Sequence, residues 1–326
     1  MAAAMIAGGV AVALAAQTFT NAIEWLGFRL RLGDRLLGGV LAAWGTALPE
    51  LAVPLVAVAG GSSAGHAVGV GAILGAPFLL ATMAFALIGA AAGLRSLRGR
   101  DGQLKADARA ASADLLWFVA LLAVALAVGT PVLHGLRVPA AAALGAGYLL
   151  YLVIAVRSGG GTAEMRPQRF ALWRARRDPS LLAMLAEAAA AVALLLVGAE
   201  AFVSAVTGLG HALGVSHLVL AVVLAPLATE LPEVMNSVVW TWRGRDDLAL
   251  SAVTGAMIIQ SAIGPGLGIA LTPWRLGPTE SFAAALALLA ALFFAVSLRA
   301  FRRLDAPRLL VGAAFYAMFL AAVVVP

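Results

Sequence analysis

Long apolar stretches alternate with short polar segments along almost the whole chain. Each stretch is long enough to cross the hydrocarbon core of a bilayer, which takes roughly 20 helical residues. The pattern predicts ten membrane helices, at residues 3–27, 33–60, 66–94, 113–130, 138–156, 181–208, 215–240, 247–271, 278–298 and 306–325. We therefore expect an all-α integral membrane fold with about ten transmembrane helices.

Composition agrees with a membrane protein. Of the 326 residues, 63% are hydrophobic and only 12% are charged, and the mean hydropathy is +0.99. Soluble domains carry about 25% charged residues, so this chain is excluded from that class. The sequence contains no cysteine, which excludes disulfides and thiolate metal sites.

Basic residues predict the orientation in the membrane. If the N-terminus lies outside, all but two of the 22 Lys and Arg residues fall on the cytoplasmic side, the exceptions being Arg137 and Arg275. This asymmetry follows the positive-inside rule. The high pI of about 10.9 then reflects topology and indicates anionic lipid headgroups as partners, with no nucleic acid. The frequent Ala and Arg favour a bacterial plasma membrane.

A polar, Arg-rich segment at 157–180 predicts a cytoplasmic linker between two halves, 1–156 and 181–326. Each half contains five predicted helices, and because five is odd the second half enters the membrane in the opposite sense. Inverted repeats of this kind are typical of secondary transporters, which bind substrate at the repeat interface near the bilayer midplane.

A short motif occurs once in each half. Residues 45–51 read GTALPEL and residues 228–234 read ATELPEV, both inside apolar helices. Proline removes a backbone donor and clashes with the carbonyl four residues earlier, so we expect the helices to open at Gly45 and Ala228. Freed carbonyls beside a carboxylate would offer the oxygen ligands that suit a hard cation such as Ca²⁺.

The motifs place three glutamates, Glu50, Glu230 and Glu233, within predicted membrane segments, whereas every Lys and Arg lies at a helix end or in a loop. One charge at the centre of a membrane helix costs about 2.5–3.5 kcal/mol. Cations, protons or both must therefore neutralise these carboxylates. Glu230 is the preferred proton carrier, because neighbouring like charges favour protonation.

Other polar residues are weaker candidates for ion ligands. Thr46 and Thr229 stand one turn before Glu50 and Glu233 and can add oxygen ligands, while Gln260 fits either an ion ligand or an interhelical hydrogen bond. Glu24 and Glu200 fit either an interface residue or a ligand. Asn236 is interpreted as a hydrogen-bonding residue, and Asp246-Asp247 as a solvated charge cluster.

The paired motifs, each followed by a Gly- and Ala-rich helix, resemble the two alpha repeats of the cation/calcium exchanger superfamily, and the prokaryotic sodium/calcium exchanger branch in particular. The resemblance covers approximately residues 19–94 and 195–271. It implies electrogenic or proton-linked antiport by alternating access. It also implies that Glu50 and Glu233 are central Ca²⁺ ligands and that Thr46 and Thr229 contribute oxygens.

The chain departs from the sodium-coupled members at several positions. Those members usually carry Ser where Ala47 and Glu230 stand, and Asn or Ser at the positions of Ala72, Ala76, Ala252 and Ala256. Several oxygen ligands for Na⁺ are therefore missing and one carboxylate is extra. This difference weakens the case for Na⁺ coupling and favours H⁺ coupling through Glu230.

The sequence thus predicts an antiporter that exchanges Ca²⁺ for Na⁺ or H⁺, with no enzymatic activity and no resident cofactor. One alternative is a proton-coupled exchanger of another divalent cation, such as Mn²⁺. A membrane-embedded enzyme and a passive channel are alternatives of other classes. The chain has neither a His-Glu-x-x-His nor a Gly-x-Ser-x-Gly motif, which argues against an enzyme, and inverted halves favour alternating access over an open pore.

Overall fold

The computed structural model describes residues 2–29, 42–98, 103–157, 179–214, 217–302 and 304–324. These residues form ten long helices: α1 Ala2–Arg29, α2 Ala42–Ala59, α3 Ser63–Leu97, α4 Ala108–Val128, α5 Arg137–Arg157, α6 Leu181–Leu213, α7 His217–Trp242, α8 Asp246–Leu271, α9 Pro278–Phe301 and α10 Ala306–Val324. Seven of them are long and apolar enough to cross a membrane, and shorter apolar segments lie in α1 and α2.

Each predicted helix has a counterpart in the described part of the chain, and the starting points differ for a local reason. α4 begins five residues earlier than the apolar pattern predicts, because Asp107 caps it by accepting hydrogen bonds from the backbone N–H groups of Arg109 (2.8 Å) and Ala110 (3.2 Å). Ser62 caps α3 in the same manner, accepting from Gly65 N at 2.9 Å. Such polar first turns extend a helix beyond its apolar stretch.

The expectation that the helices open at Gly45 and Ala228 is wrong. Both α2 and α7 continue as α-helix through these positions. A proline removes only one hydrogen bond, and within a membrane bundle the neighbouring helices tolerate this loss without a break. The irregular segment lies instead in α3, where Leu80–Ala84 forms a π-helical turn shortly after Pro77. π-turns of this kind are frequent at functional sites.

Close contacts establish the relative directions of the motif-bearing helices. α2 and α3 are antiparallel, since Gly69 lies against Pro54 and Gly65 against Ala57. α3 and α7 are parallel, since Gly75 lies against Val222 and Arg95 donates a hydrogen bond to the carbonyl of Thr241. α2 and α7 therefore run in opposite directions, as inverted halves require. Most of the linker predicted at 157–180 lies outside the described residues, so the division into halves stays a prediction.

The buried side chains form two main clusters. The larger cluster joins α3, α4, α5, α8, α9 and α10 and includes two residues of α7. Within it the rings of Phe85 and Phe294 are stacked at 4.5 Å between centroids. The smaller cluster joins α1 and α6 to α2, the first turns of α3 and the first half of α7. α2, α3, α7 and α8 contact one another between these clusters, and this position contains the motif residues.

The contact between α3 and α7 depends on Gly75. A β-carbon at this position would lie 2.4 Å from the carbonyl oxygen of Val222 and 2.7 Å from Cγ of Pro226. We expect Gly75→Ala to lower the free energy of unfolding by about 1–3 kcal/mol, because the two backbones must separate. Gly145→Ala in α5 meets open space and is the matched control, which should stabilise by roughly 0.5–1 kcal/mol. Thermal unfolding in detergent measures both, and equal midpoints for the two variants would contradict the close packing.

Candidate ion-binding site

The first motif meets the second through their glutamates. Glu50 on α2 and Glu230 on α7 lie side by side, with their carboxyl groups close enough to interact directly. Glu230 is fully buried, with 0% of its surface exposed. Two adjacent carboxyl groups cannot both be ionised unless a cation lies between them, and without a cation they share a proton. Among the described residues, the charged groups that act on Glu50 are Glu230 and Glu233, and no Lys or Arg offsets them.

Gln260 adds a third helix to this contact. Its side-chain Nε2 on α8 donates a hydrogen bond to Oε1 of Glu230, so the interhelical hydrogen bond expected as one of its two roles is present. This bond fixes the orientation of the amide, so that its carbonyl oxygen Oε1 points away from Glu230. The sequence predicted Gln260 as a candidate from its position alone, but it gave no indication that Glu230 was the partner.

Three buried oxygens in this cluster have no hydrogen-bond donor among the described residues. They are Oε2 of Glu50, Oε2 of Glu230 and Oε1 of Gln260. A buried oxygen without a donor costs about 1–3 kcal/mol, and more if it is charged. Carboxylate and amide oxygens are also the ligands that Ca²⁺ prefers. The donor set therefore has the chemistry of a hard-cation site.

A small cavity adjoins this cluster. Glu50 and Gln260 line it together with Ala72 and Ala76 of α3, and its volume is about 10 Å³. This is close to the space that one water molecule needs, so the cavity is too small for a cation with its hydration shell. The two alanines contribute methyl groups, which offer no oxygen to a cation. They occupy two of the positions at which the sequence departs from sodium-coupled exchangers.

Glu233 lies one helical turn beyond Glu230 on α7. It is partly exposed and close enough to act electrostatically on both Glu50 and Glu230. In the described part of the chain, no three Asp, Glu, His or Cys side chains converge to hold a metal ion. The oxygens near Glu50 therefore come from mixed groups, the carboxylates of Glu50 and Glu230 and the amide of Gln260.

The other predicted ligands have different positions. Thr229 is buried at 4% exposure, and its hydroxyl donates to the carbonyl of Ala225 at 3.2 Å, which leaves its oxygen lone pairs free to accept or to bind a cation. The side chains of Thr46 and Glu24 lie outside the described residues. Glu200 and Asn236 are exposed and are not brought into the cluster.

Two hydroxyl residues of α7 were missed by the sequence analysis. Ser237 and Thr241 are both 0% exposed, and neither hydroxyl has a hydrogen-bond partner among the described residues. They follow Glu233 at intervals of four residues, which places all three on one side of the helix. This spacing was the available signal. These three side chains form a polar row on α7 that extends from the glutamates toward the end of the helix that is predicted to be cytoplasmic.

The prediction that Asp246 is a solvated charge is wrong. Its side chain is buried and forms an ion pair with Arg95 of α3, with Nη1 2.9 Å from Oδ1 and Nη2 3.1 Å from Oδ2. Oδ2 also accepts a hydrogen bond from the backbone N–H of Lys105 at 2.9 Å. A sequence pattern places Asp246 beside Arg243 and Arg245, whereas its actual partner is far away in the chain.

Comparison with solved structures identifies the fold. The chain is similar to an H⁺/Ca²⁺ exchanger, CAX, with a TM-score of 0.75 and 19% identity over 98% of this chain and 80% of that one. Similarity to native YfkE has a TM-score of 0.68 and 13% identity over 97% and 89% of the two chains. The sodium-calcium exchanger NCX_Mj, soaked with Na⁺ and Sr²⁺, gives a TM-score of 0.59 and 17% identity over 98% of each chain.

These similarities confirm an all-α integral membrane protein with the helical arrangement of a sodium/calcium exchanger. The sequence profile of one family, described as sodium/calcium exchanger protein, matches residues 1–157 and 185–326. The chain belongs to that family. A search of curated proteins finds no match. Cation exchange is thus the class of activity of this protein.

Proposed function

We propose that this protein is a secondary active antiporter that exchanges Ca²⁺ for H⁺ or Na⁺ by alternating access. In this proposal the ion binds between Glu50 and Glu233. The observation that carries it is the contact between the carboxyl groups of Glu50 and Glu230, with no described Lys or Arg to neutralise them. Opposed glutamates of this kind at the meeting of two antiparallel helices fit a site near the bilayer midplane.

Protons are the favoured counter-ion. Glu50 and Glu230 can share a proton as long as no cation lies between them, and Gln260 holds Glu230 in place. The methyl groups of Ala72 and Ala76 line the cavity, at positions where the resemblance to sodium-coupled exchangers implies Asn or Ser. Two of the similar structures are named as an H⁺/Ca²⁺ exchanger and a sodium-calcium exchanger, and both couplings remain in the proposal.

Exchange follows from competition for the same oxygens. A divalent cation entering the cluster is attracted by two ionised carboxylates, so the proton held between Glu50 and Glu230 must leave before the cation binds. When the cation departs, the two carboxylates repel each other until a proton or another cation returns. The same oxygens are therefore occupied by one ion or the other, and each crossing of the membrane carries one of them.

The test is ⁴⁵Ca²⁺ uptake into proteoliposomes that contain the full chain. Three conditions are compared: an outward H⁺ gradient, an outward Na⁺ gradient and no gradient. The proposal expects uptake that depends on a gradient and is strongest with H⁺, and unlabelled Ca²⁺ added outside should compete with the label. Uptake that is equal in all three conditions would indicate a channel. Uptake of ⁵⁴Mn²⁺ with no Ca²⁺ transport would assign a different substrate to the same fold.

A further inference from the structure

A second site is indicated far from the glutamates, where α4 begins and α9 ends. A crevice of about 400 Å³ lies there, lined by Asp107, Ala108, Arg109, Ser112, Leu298, Arg299 and Arg302. The positive-inside distribution predicts that this end of the bundle faces the cytoplasm. Nothing in the proposed ion exchange uses these residues.

The crevice is strongly basic. Its three arginines, Arg109, Arg299 and Arg302, are all exposed, and none of them forms an ion pair with another described residue. The one acidic residue of the lining is Asp107, and it is engaged in capping α4 through the N–H groups of Arg109 and Ala110. The excess of positive charge selects an anion.

Arg299 is held in a fixed direction. Its Nε donates a hydrogen bond to Oγ of Ser112 at 2.9 Å, and Ser112 is buried at 1% exposure. With Nε occupied, the two terminal nitrogens of the guanidinium remain available at the crevice. Such a planar fork matches two oxygens of a phosphate group.

Arg302 has an unusual backbone conformation. It ends α9 with φ 53° and ψ 21°, in the left-handed region, and its N–H donates to the carbonyl of Leu298. Glycine is the usual residue at such a helix end, because a β-carbon is disfavoured there. An arginine that retains this conformation at the edge of a basic crevice is consistent with a functional role for its side chain.

An apolar stripe leads from the crevice along the membrane-spanning part of α9. Leu289, Leu292 and Val296 are 54%, 42% and 55% exposed, and they share one face of the helix with Arg299 because they are spaced by three and four residues. On the neighbouring α4, Arg109 is followed by the exposed residues Ala113, Ala120 and Val124. A ligand with a charged head and an apolar tail would match both parts of this surface.

We propose that the crevice between α4 and α9 binds the phosphate headgroup of an anionic phospholipid from the cytoplasmic leaflet. The acyl chains lie along the exposed stripe of α9. Basic pockets between membrane helices on the cytoplasmic side are suited to such headgroups. The occupant is a lipid because the apolar stripe continues directly from Arg299, whereas a free phosphate ion would gain nothing from it.

The chain offers an internal control. A crevice of similar size, about 490 Å³, lies at the opposite end of the bundle beside the start of α5 and the end of α8, and Arg137 is the one basic residue in its lining. If exposed crevices bound anionic lipid irrespective of charge, both would do so. Our proposal assigns specific binding to the first crevice alone.

Native mass spectrometry of the full chain in detergent tests this inference. The protein is titrated with phosphatidylglycerol, with phosphatidylcholine of the same acyl chains, and with inorganic phosphate. We expect Arg299→Gln and Arg302→Gly each to weaken phosphatidylglycerol binding about fivefold, since one basic residue near an anionic surface contributes about 1 kcal/mol. Arg137→Gln should change it by less than about twofold. Arg302→Gly suits its left-handed backbone, so loss of the fold does not complicate its interpretation.

Three outcomes would overturn the proposal. Equal weakening by Arg137→Gln would show that binding follows the overall charge. Equal affinity for phosphatidylcholine would show that the net negative charge of the headgroup is not recognised, since both headgroups contain a phosphate. Displacement of phosphatidylglycerol by millimolar inorganic phosphate would assign the crevice to free phosphate. Because lipid retention is measured without any ion gradient, failure of the antiport proposal leaves this result unaffected.

Discussion

Glu50→Gln is expected to abolish gradient-driven ⁴⁵Ca²⁺ uptake, with a decrease of at least about a hundredfold. The amide has the shape of the protonated acid, so it can keep a contact with Glu230, but it cannot supply the negative charge that binds a divalent cation. Loss of a charge-assisted interaction of about 3 kcal/mol corresponds to about a hundredfold in affinity. Uptake into proteoliposomes under the H⁺ gradient measures the effect.

Glu280→Gln is the matched control, because Glu280 lies in the first turn of α9, far along the chain from both motifs. It should retain wild-type uptake. Transport by Glu50→Gln at the wild-type rate would remove Glu50 from the site, and equal loss in both variants would point to a general effect of removing charge. Normal elution and an unchanged thermal midpoint of Glu50→Gln are needed to attribute its loss to ion binding.

The helices were predictable because their cause is local. Apolar runs of bilayer length give the positions of α3 to α10 within a few residues, and the residues that the pattern misses at the start of α4 are added by the capping Asp107. The repeated motif also pointed to Glu50 and Glu233, with Glu230 beside them, since repeated carboxylates in apolar runs need a common explanation, and their role in ion binding stays a prediction. Both conclusions depend only on neighbours in the sequence.

Contacts between distant segments were not predictable in the same way. The hydrogen bond from Gln260 to Glu230 joins residues on different helices, and a single sequence contains no information about which polar partners meet. The helix openings were predicted at Gly45 and Ala228, four residues before each proline, because the rule for a soluble helix was applied to packed membrane helices. The π-turn at Leu80–Ala84 contains no proline. For Asp246, nearby arginines in the sequence concealed its partner in α3.

Arg95→Ala is expected to lower the free energy of unfolding by about 3–5 kcal/mol, because it leaves the carboxylate of Asp246 buried without its ion-pair partner. Arg95 and Asp246 are both almost fully buried, with 5% and 1% of their side chains exposed. The arginine also donates to the carbonyls of Thr241 at 2.7 Å and Gln103 at 3.0 Å. Arg95 therefore connects the end of α3 to the end of α7, at Thr241, and to the start of α8, at Asp246.

Thermal unfolding in detergent measures this loss, and Arg308→Ala provides the control. The ion pair between Arg308 and Asp305 is partly exposed, at 27% and 33%, and such pairs contribute about 0–1 kcal/mol. A midpoint decrease of similar size in both variants would contradict the assigned importance of burial. The double variant Arg95→Met with Asp246→Leu separates the two sources of the effect, because it leaves no unpaired charge. The double variant should recover most of the free energy of unfolding. Any transport defect that persists in it would then come from the lost connection between the end of α3 and the junction of α7 and α8.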